Sequence, residues 1–146
     1  MDSFVIEDLG INKPAATKIR KLFNLKGMCV VQMVMENKKN LRYLPNKVEQ
    51  DNIYYLGTHD NNTFIGYLKS LNKQDRVKFC SLMGVENKNV KQIHLDCIRK
   101  MLASKSQVVI LQIQNYLMQN GKYRMNVPGQ TTGCWEYKMP YKYESK

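Results

Sequence analysis

At 146 residues the chain has the length of a single domain. Hydrophobic residues make up 43% and charged residues 24% of it, which excludes wholesale disorder and indicates a globular unit with a buried core. The formal net charge of +11 invites a nucleic-acid reading; however, the lysines fall as scattered singles and short pairs such as Lys38-Lys39, with no basic block next to aromatic residues, so a solvated surface is favoured and no nucleic-acid partner is expected.

The first element is a short apolar run, Phe4-Val5-Ile6, followed at once by Glu7-Asp8-Leu9-Gly10, so that two carboxylates sit where a strand opens into a loop. Asn12 is placed to cap a helix with Pro14 in its first turn, and Ala15 to Phe23 carries apolar residues at helical spacing. Met28 to Met35 is almost continuously apolar, as a parallel strand covered on both faces would be. A polar segment from Glu36 to Asp51 follows, with an ordered turn expected at Tyr43-Leu44-Pro45.

Asn52-Ile53-Tyr54-Tyr55-Leu56 is rich in β-branched and aromatic residues and reads as a strand. It ends in Gly57-Thr58-His59-Asp60-Asn61-Asn62, where glycine permits a turn that lifts His59 and Asp60 clear of the strand. Two readings of this lip stand side by side. Asp60 or Asn61 caps the next helix, or the strand end carries a site.

Three helices are expected next: Thr63 to Leu71, a second capped by Asn72 and stopped by Gly84, and a third opened by Asn89. In the third, Val90, Ile93, Cys97, Ile98, Met101 and Leu102 form one apolar face, with His94 at its border as a packed or surface histidine. Gln107 to Ile113 is the last strand, leading into Gln114 and Asn115. The tail from Arg124 to Trp135 is loop-like, punctuated by Pro128, Gly129 and Gly133.

About four strands thus alternate with helical stretches, which predicts an α/β fold with a parallel sheet built from βαβ units. That is half the strand count of a closed (β/α)8 barrel, which takes about 250 residues. Residues 1–146 are therefore read as one partial domain. Cys29, Cys80, Cys97 and Cys134 are dispersed, and with only His59 and His94 to join them no zinc spacing is present. Buried thiols imply a reducing, cytoplasmic setting. No apolar run approaches the roughly 20 residues that span a bilayer, so no membrane partner is expected.

If the strands are parallel, Glu7, Asp60 and the Arg124 to Trp135 loop reach one rim of the sheet. Two carboxylates beside an aromatic residue suit glycosidic chemistry, in which one acid protonates the leaving oxygen and another carboxylate stabilises an oxocarbenium-like centre.

Ile6-Glu7-Asp8-Leu9-Gly10, Gly57-Thr58-His59-Asp60-Asn61 and Arg124-Met125-Asn126-Val127-Pro128-Gly129 resemble, in order, three motifs of the 4-alpha-glucanotransferases, also called amylomaltases or disproportionating enzymes. Lys26-Gly27-Met28 with Val31-Gln32, Tyr43-Leu44-Pro45, Leu111-Gln112-Ile113-Gln114 and Gly133 with Trp135 fill the intervals. The resemblance spans nearly all of the chain and corresponds to the C-terminal part of the family's longer barrel.

It implies transfer of α-1,4-glucan segments between maltodextrins, starch- or glycogen-derived, with retention through a covalent glycosyl-enzyme and with no metal or cofactor. It implies that Glu7 is the general acid/base, that Asp60 grips sugar hydroxyls and that His59 hydrogen-bonds the same sugar. Asn61, Asn126, Pro128 and Gly129 become substrate-site residues, and Trp135 a structural one. The family's nucleophilic aspartate precedes the glutamate motif, and Asp2 has neither its motif nor its spacing, so the chain alone is expected to be inactive. A half-barrel also leaves sheet edges open, which implies a homodimer or pairing with the missing N-terminal part. Asn115, where the family usually has an acid, and Cys134, where it usually has Asn, are departures.

Overall fold

The computed structural model describes residues 4–9, 13–36 and 38–140; Asp2, Gly10 and the expected cap Asn12 lie outside them. Three parallel strands, β1 (Gly27–Val30), β2 (Asn52–Tyr55) and β3 (Val108–Ile110), form a sheet in the order β1-β2-β3. The register pairs Met28 with Ile53 and Tyr54 with Val109. The parallel α/β expectation is met, but among the described residues the strands number three rather than about four.

The expected first strand at Phe4-Val5-Ile6 is reduced to one parallel bridge, Val5 to Lys26, with Ile6 N donating to Lys26 O at 2.8 Å. The next rung needs the Met28 N–H. That group donates instead to Asp8 Oδ1 at 3.0 Å, so a side chain ends the ladder.

The Met28 to Met35 run also departs from expectation. The strand stops at Val30, and Val31–Met33 winds into a 3-10 turn. Val31 and Val34 remain fully buried, so an apolar run of this kind satisfies a buried helical turn as well as a strand. The last strand is likewise shortened, because Ile113–Tyr116 forms a helical turn closed by Tyr116 N to Gln112 O at 3.0 Å.

Helix α1 (Lys13–Leu22) has Pro14 in its first turn, as expected, but its faces are inverted. Arg20 points inward, only 1% exposed, while Ile19, Leu22 and Phe23 face outward. The inward arginine donates through Nη1 to Asp51 Oδ2 at 2.8 Å and to the carbonyls of Leu25 and Asp51, each at 3.0 Å. It also stands 3.5 Å from the buried Asp8. Gly27 is glycine because Arg20 crosses its Cα: a Cβ there would lie 2.6 Å from Arg20 Nε.

Helices α2 (Phe64–Ser70), α3 (Lys73–Met83) and α4 (Val90–Leu102) follow β2 with the predicted punctuation. Asn72 accepts from Asp75 N, Asn89 accepts from Gln92 N, and Gly84 ends α3 at φ 65° in the left-handed region. Thr63 caps α2 by accepting from Gly66 N at 3.1 Å. The cap is therefore neither Asp60 nor Asn61, which leaves the lip after β2 free for other work.

Phe64, Leu68, Phe79, Ile93, Cys97 and Met101 meet the sheet residue Tyr54 in one core. Burial of each large side chain contributes about 1.5–3 kcal/mol. The Tyr54 hydroxyl, too deep to ionise, donates to Tyr43 O. On α4, Leu102 leaves the expected apolar face and is exposed, while His94 moves from its border to full burial. Ile93, Cys97 and Met101, four residues apart, stack along the axis that faces the core, and Leu102 is one step of about 100° away.

Candidate functional site

An open cavity of about 720 Å³ lies at the carboxyl ends of β1, β2 and β3, where side chains following parallel strands converge. Glu7 lines it from the first loop, His59, Asp60 and Asn61 from the lip after β2, and Gln112 from the end of β3. Among the described residues on its wall, the carboxylates are Glu7 and Asp60. Tyr55 is also there, its phenol pushed up by burial and so held as a neutral hydrogen-bond donor.

The adjacent acids Glu7 and Asp8 have opposite environments. Glu7 is exposed on the cavity wall, whereas Asp8 is buried. Asp8 accepts from Met28 N at 3.0 Å and Thr17 Oγ1 at 3.3 Å and lies between Arg20 and Arg42 at 3.5 and 3.6 Å. Its lone pairs are committed to holding the first loop against α1 and β1. Glu7 is left to face whatever enters the cavity.

Asp60 is oriented from two sides. Asn126 Nδ2 donates to Asp60 Oδ1 at 2.6 Å, and Arg124 donates to the Asp60 carbonyl oxygen. Arg124 Nε also reaches Asn126 O at 2.6 Å, so the tail loop is internally braced. His59 Nε2 stands 3.4 Å from Asp60 Oδ1 on the same lip. Asn61 lines the cavity, but its side-chain oxygen is used locally, accepting from Thr58 N at 2.8 Å and Thr58 Oγ1 at 3.0 Å.

Pro128 and Gly129 do not line this cavity. They form an exposed turn in which Gln130 N donates to Val127 O at 3.0 Å and Gly129 takes φ 84°, a conformation glycine adopts without a Cβ clash.

Gly57 has a different reason from the one its sequence suggests. It is not in the left-handed region; rather, the Gln32 side-chain amide packs against its Cα and leaves no room for a Cβ. Gln32 Nε2 in turn donates to Asn62 O at 2.8 Å. The lip is thus pinned to the end of β1, a contact that no local sequence signal marks.

The two departures from the motif are accommodated structurally. Asn115 is buried, with Oδ1 accepting from Phe64 N at 2.7 Å and Nδ2 donating to Gln112 Oε1 at 3.3 Å. Cys134 Sγ accepts from Val127 N at 3.4 Å across the tail loop. Cys29 is buried within β1, and burial pushes its thiol up to about 12, which makes it inert. Among the described residues no three His, Cys, Asp or Glu side chains converge as a metal centre requires, and no helix is long and apolar enough to cross a membrane.

Comparison with known proteins gives this geometry its context. A family profile for 4-alpha-glucanotransferases matches residues 2–143. The chain is similar to the 4-alpha-glucanotransferase of Aquifex aeolicus, at 31% identity over 98% of this chain and 29% of that protein. It is similar to the one from Synechocystis at 32% identity over 92% of this chain and 26% of that protein. The fold matches an amylomaltase from Streptococcus agalactiae, solved in complex with acarbose, with a TM-score of 0.81 at 24% identity over 94% of this chain and 28% of that one. The chain spans less than a third of the length of these relatives. Over that span it belongs to the 4-alpha-glucanotransferase family.

Proposed function

We propose that residues 1–146 are the C-terminal half of a (β/α)8 barrel that transfers α-1,4-glucan segments between maltodextrins. The observation that carries this reading is the placement of Glu7 and Asp60 on the wall of one cavity at the strand ends, within a chain of this family.

In this reading Glu7 is the general acid/base: it gives its proton to the glycosidic oxygen as the anomeric C–O bond breaks and takes one back from the acceptor hydroxyl. Asp60, oriented by Asn126, accepts hydrogen bonds from sugar hydroxyls, which strengthen as positive charge develops on the ring. His59 adds a further contact to the same sugar, and Asn61 contributes to the wall. Asn126, Pro128 and Gly129 act through the loop that holds Asp60 in place.

Retention also needs a nucleophilic carboxylate about 5–5.5 Å from the acid/base. Among the described residues the wall carboxylates are Glu7 and Asp60, and in this reading the rest of the barrel supplies the third. The cytoplasm is the compartment that free thiols favour.

Incubation of the purified chain with maltotriose tests the assignment. No glucose and no longer maltodextrins are expected from residues 1–146 alone; efficient disproportionation would refute the division of the site. A second reading, glucan binding without transfer, is favoured by the same pair of wall carboxylates. Isothermal calorimetry with maltoheptaose distinguishes it, since it requires saturable heat in the absence of turnover.

A further inference from the structure

We propose that Trp135 is a stacking platform for the glucosyl ring held at Asp60, rather than a packing residue of the tail loop. The proposal rests on the glucan reading above and adds a named binding surface to it. Four observations converge on the indole.

Trp135 is 62% exposed, so much of its indole is open to a ligand in this chain. Its backbone stands at φ 63°, in the left-handed region that bulky residues avoid. Neighbouring bonds enforce that conformation: Trp135 N donates to Met125 O at 2.7 Å, and Gly133 at φ 69° turns the chain just before it. Strained backbone that aims an exposed side chain is a recurring property of ligand sites.

The direction of aim is toward the lip. The indole centroid lies 5.0 Å from that of His59, with the planes tilted by 38°. His59 in turn stands 3.4 Å from Asp60 Oδ1. Asn126, on the same loop as Trp135, donates to that carboxylate oxygen. One loop therefore sets both the carboxylate and the aromatic surface, and His59 bridges them.

A pyranose presents hydroxyls around its edge and C–H groups on its faces. A site of this chemistry needs an acceptor for the first and an apolar plane for the second. Asp60 and His59 supply the edge contacts. Trp135, which stands outside the cavity lining and against His59, supplies the plane.

Trp135 is the single tryptophan of the chain, so its fluorescence reads this surface alone. The test combines fluorescence and calorimetry during titration with maltoheptaose, on the wild-type chain and on W135F and W135A. The expected result is a saturable fluorescence change with the calorimetric midpoint. Binding weakens about threefold in W135F and about tenfold in W135A, as loss of an aromatic contact predicts. Circular dichroism of W135A should remain as in the wild type, because the side chain is exposed.

Calorimetric binding without any change in fluorescence, or wild-type affinity in W135A, overturns the platform and leaves the glucan reading intact. Absence of both heat and fluorescence change in the wild type overturns the two together.

Discussion

Asn126 Nδ2 donates to Asp60 Oδ1 at 2.6 Å, joining the tail loop to the lip after β2 across 66 positions of sequence. This bond decides which way the carboxylate points. Replacing Asn126 by Ala removes a donor to a charged, half-exposed acceptor, and the expected cost is about 1 kcal/mol of stability. Replacement by Asp places like charges together and should cost more than Ala. Urea denaturation of the two variants checks the order, and equal costs would mean that the bond is not made in solution.

Glu7 and Asp8 should separate cleanly by mutation. Glu7→Gln alters an exposed side chain and is expected to change stability by less than about 0.5 kcal/mol. Asp8→Ala leaves the buried Arg20 beside Asp51 alone and unbalances the cluster that also contains Arg42. A loss of about 3–5 kcal/mol is expected. Equal stability of both variants in urea would contradict the assignment of Asp8 to structure and Glu7 to chemistry.

A third prediction concerns the pin between β1 and the lip. A Cβ at position 57 enters the space of the Gln32 amide, so Gly57→Ala should cost about 1–3 kcal/mol through overpacking. Adding Gln32→Ala to that variant removes the obstacle and should recover part of the loss. A double mutant less stable than the sum of the single changes would show that the collision is not the cause.

His94 gives a pH dependence whose sign follows from its burial. The ring packs 5.5 Å from Phe64, and its closest polar neighbour is the Asn115 backbone, which makes no well-formed hydrogen bond to either nitrogen. Desolvation lowers its pKa from 6.5, with the Asn115 backbone offsetting this only in part. Well above pH 6.5 the ring is neutral in both folded and unfolded chains and contributes no slope. As pH falls below that value the unfolded chain takes up a proton that the folded chain resists, so stability declines. His94→Phe should flatten this part of the profile. Chemical denaturation between pH 8 and 5 measures it, and an unchanged slope in the variant would assign the decline to other groups.

Association is the fifth expectation. Leu22 and Phe23 at the end of α1 are 78% and 65% exposed, and Val108 and Ile110 on the terminal strand of the sheet are each 39% exposed. Apolar side chains are thus exposed at the end of α1 and on β3, whose outer backbone edge is unpaired among the described residues. Light scattering of the isolated chain should report dimers or larger species, and Leu22→Lys with Phe23→Lys should lower the mass. A monomer at all concentrations would contradict this.

Much of the architecture was legible locally. Asn72, Asn89 and Gly84 mark helix ends because a cap and a left-handed stop are settled within one turn of chain, and Asn52 to Tyr55 of the expected strand survives as β2. The lip and its acid were legible because Gly57 to Asn61 is an uninterrupted motif. Local pattern failed where one side chain from elsewhere made the decision. Asp8 ends the first ladder by taking Met28 N, and Arg20 inverts the faces of α1.

The amino-acid sequence by itself determined the parallel α/β class, the caps and ends of α2 and α3 and the start of α4, the family, and Glu7 and Asp60 as the acids to watch. Tertiary structure alone decided that Asp8 is structural while Glu7 faces the cavity, that Asn126 rather than Asn61 reaches Asp60, and that Trp135 stands against His59. The physical reason is range. Propensity and capping act over a few residues, whereas a carboxylate's role is set by which donors and cations the fold brings within about 3–4 Å of it.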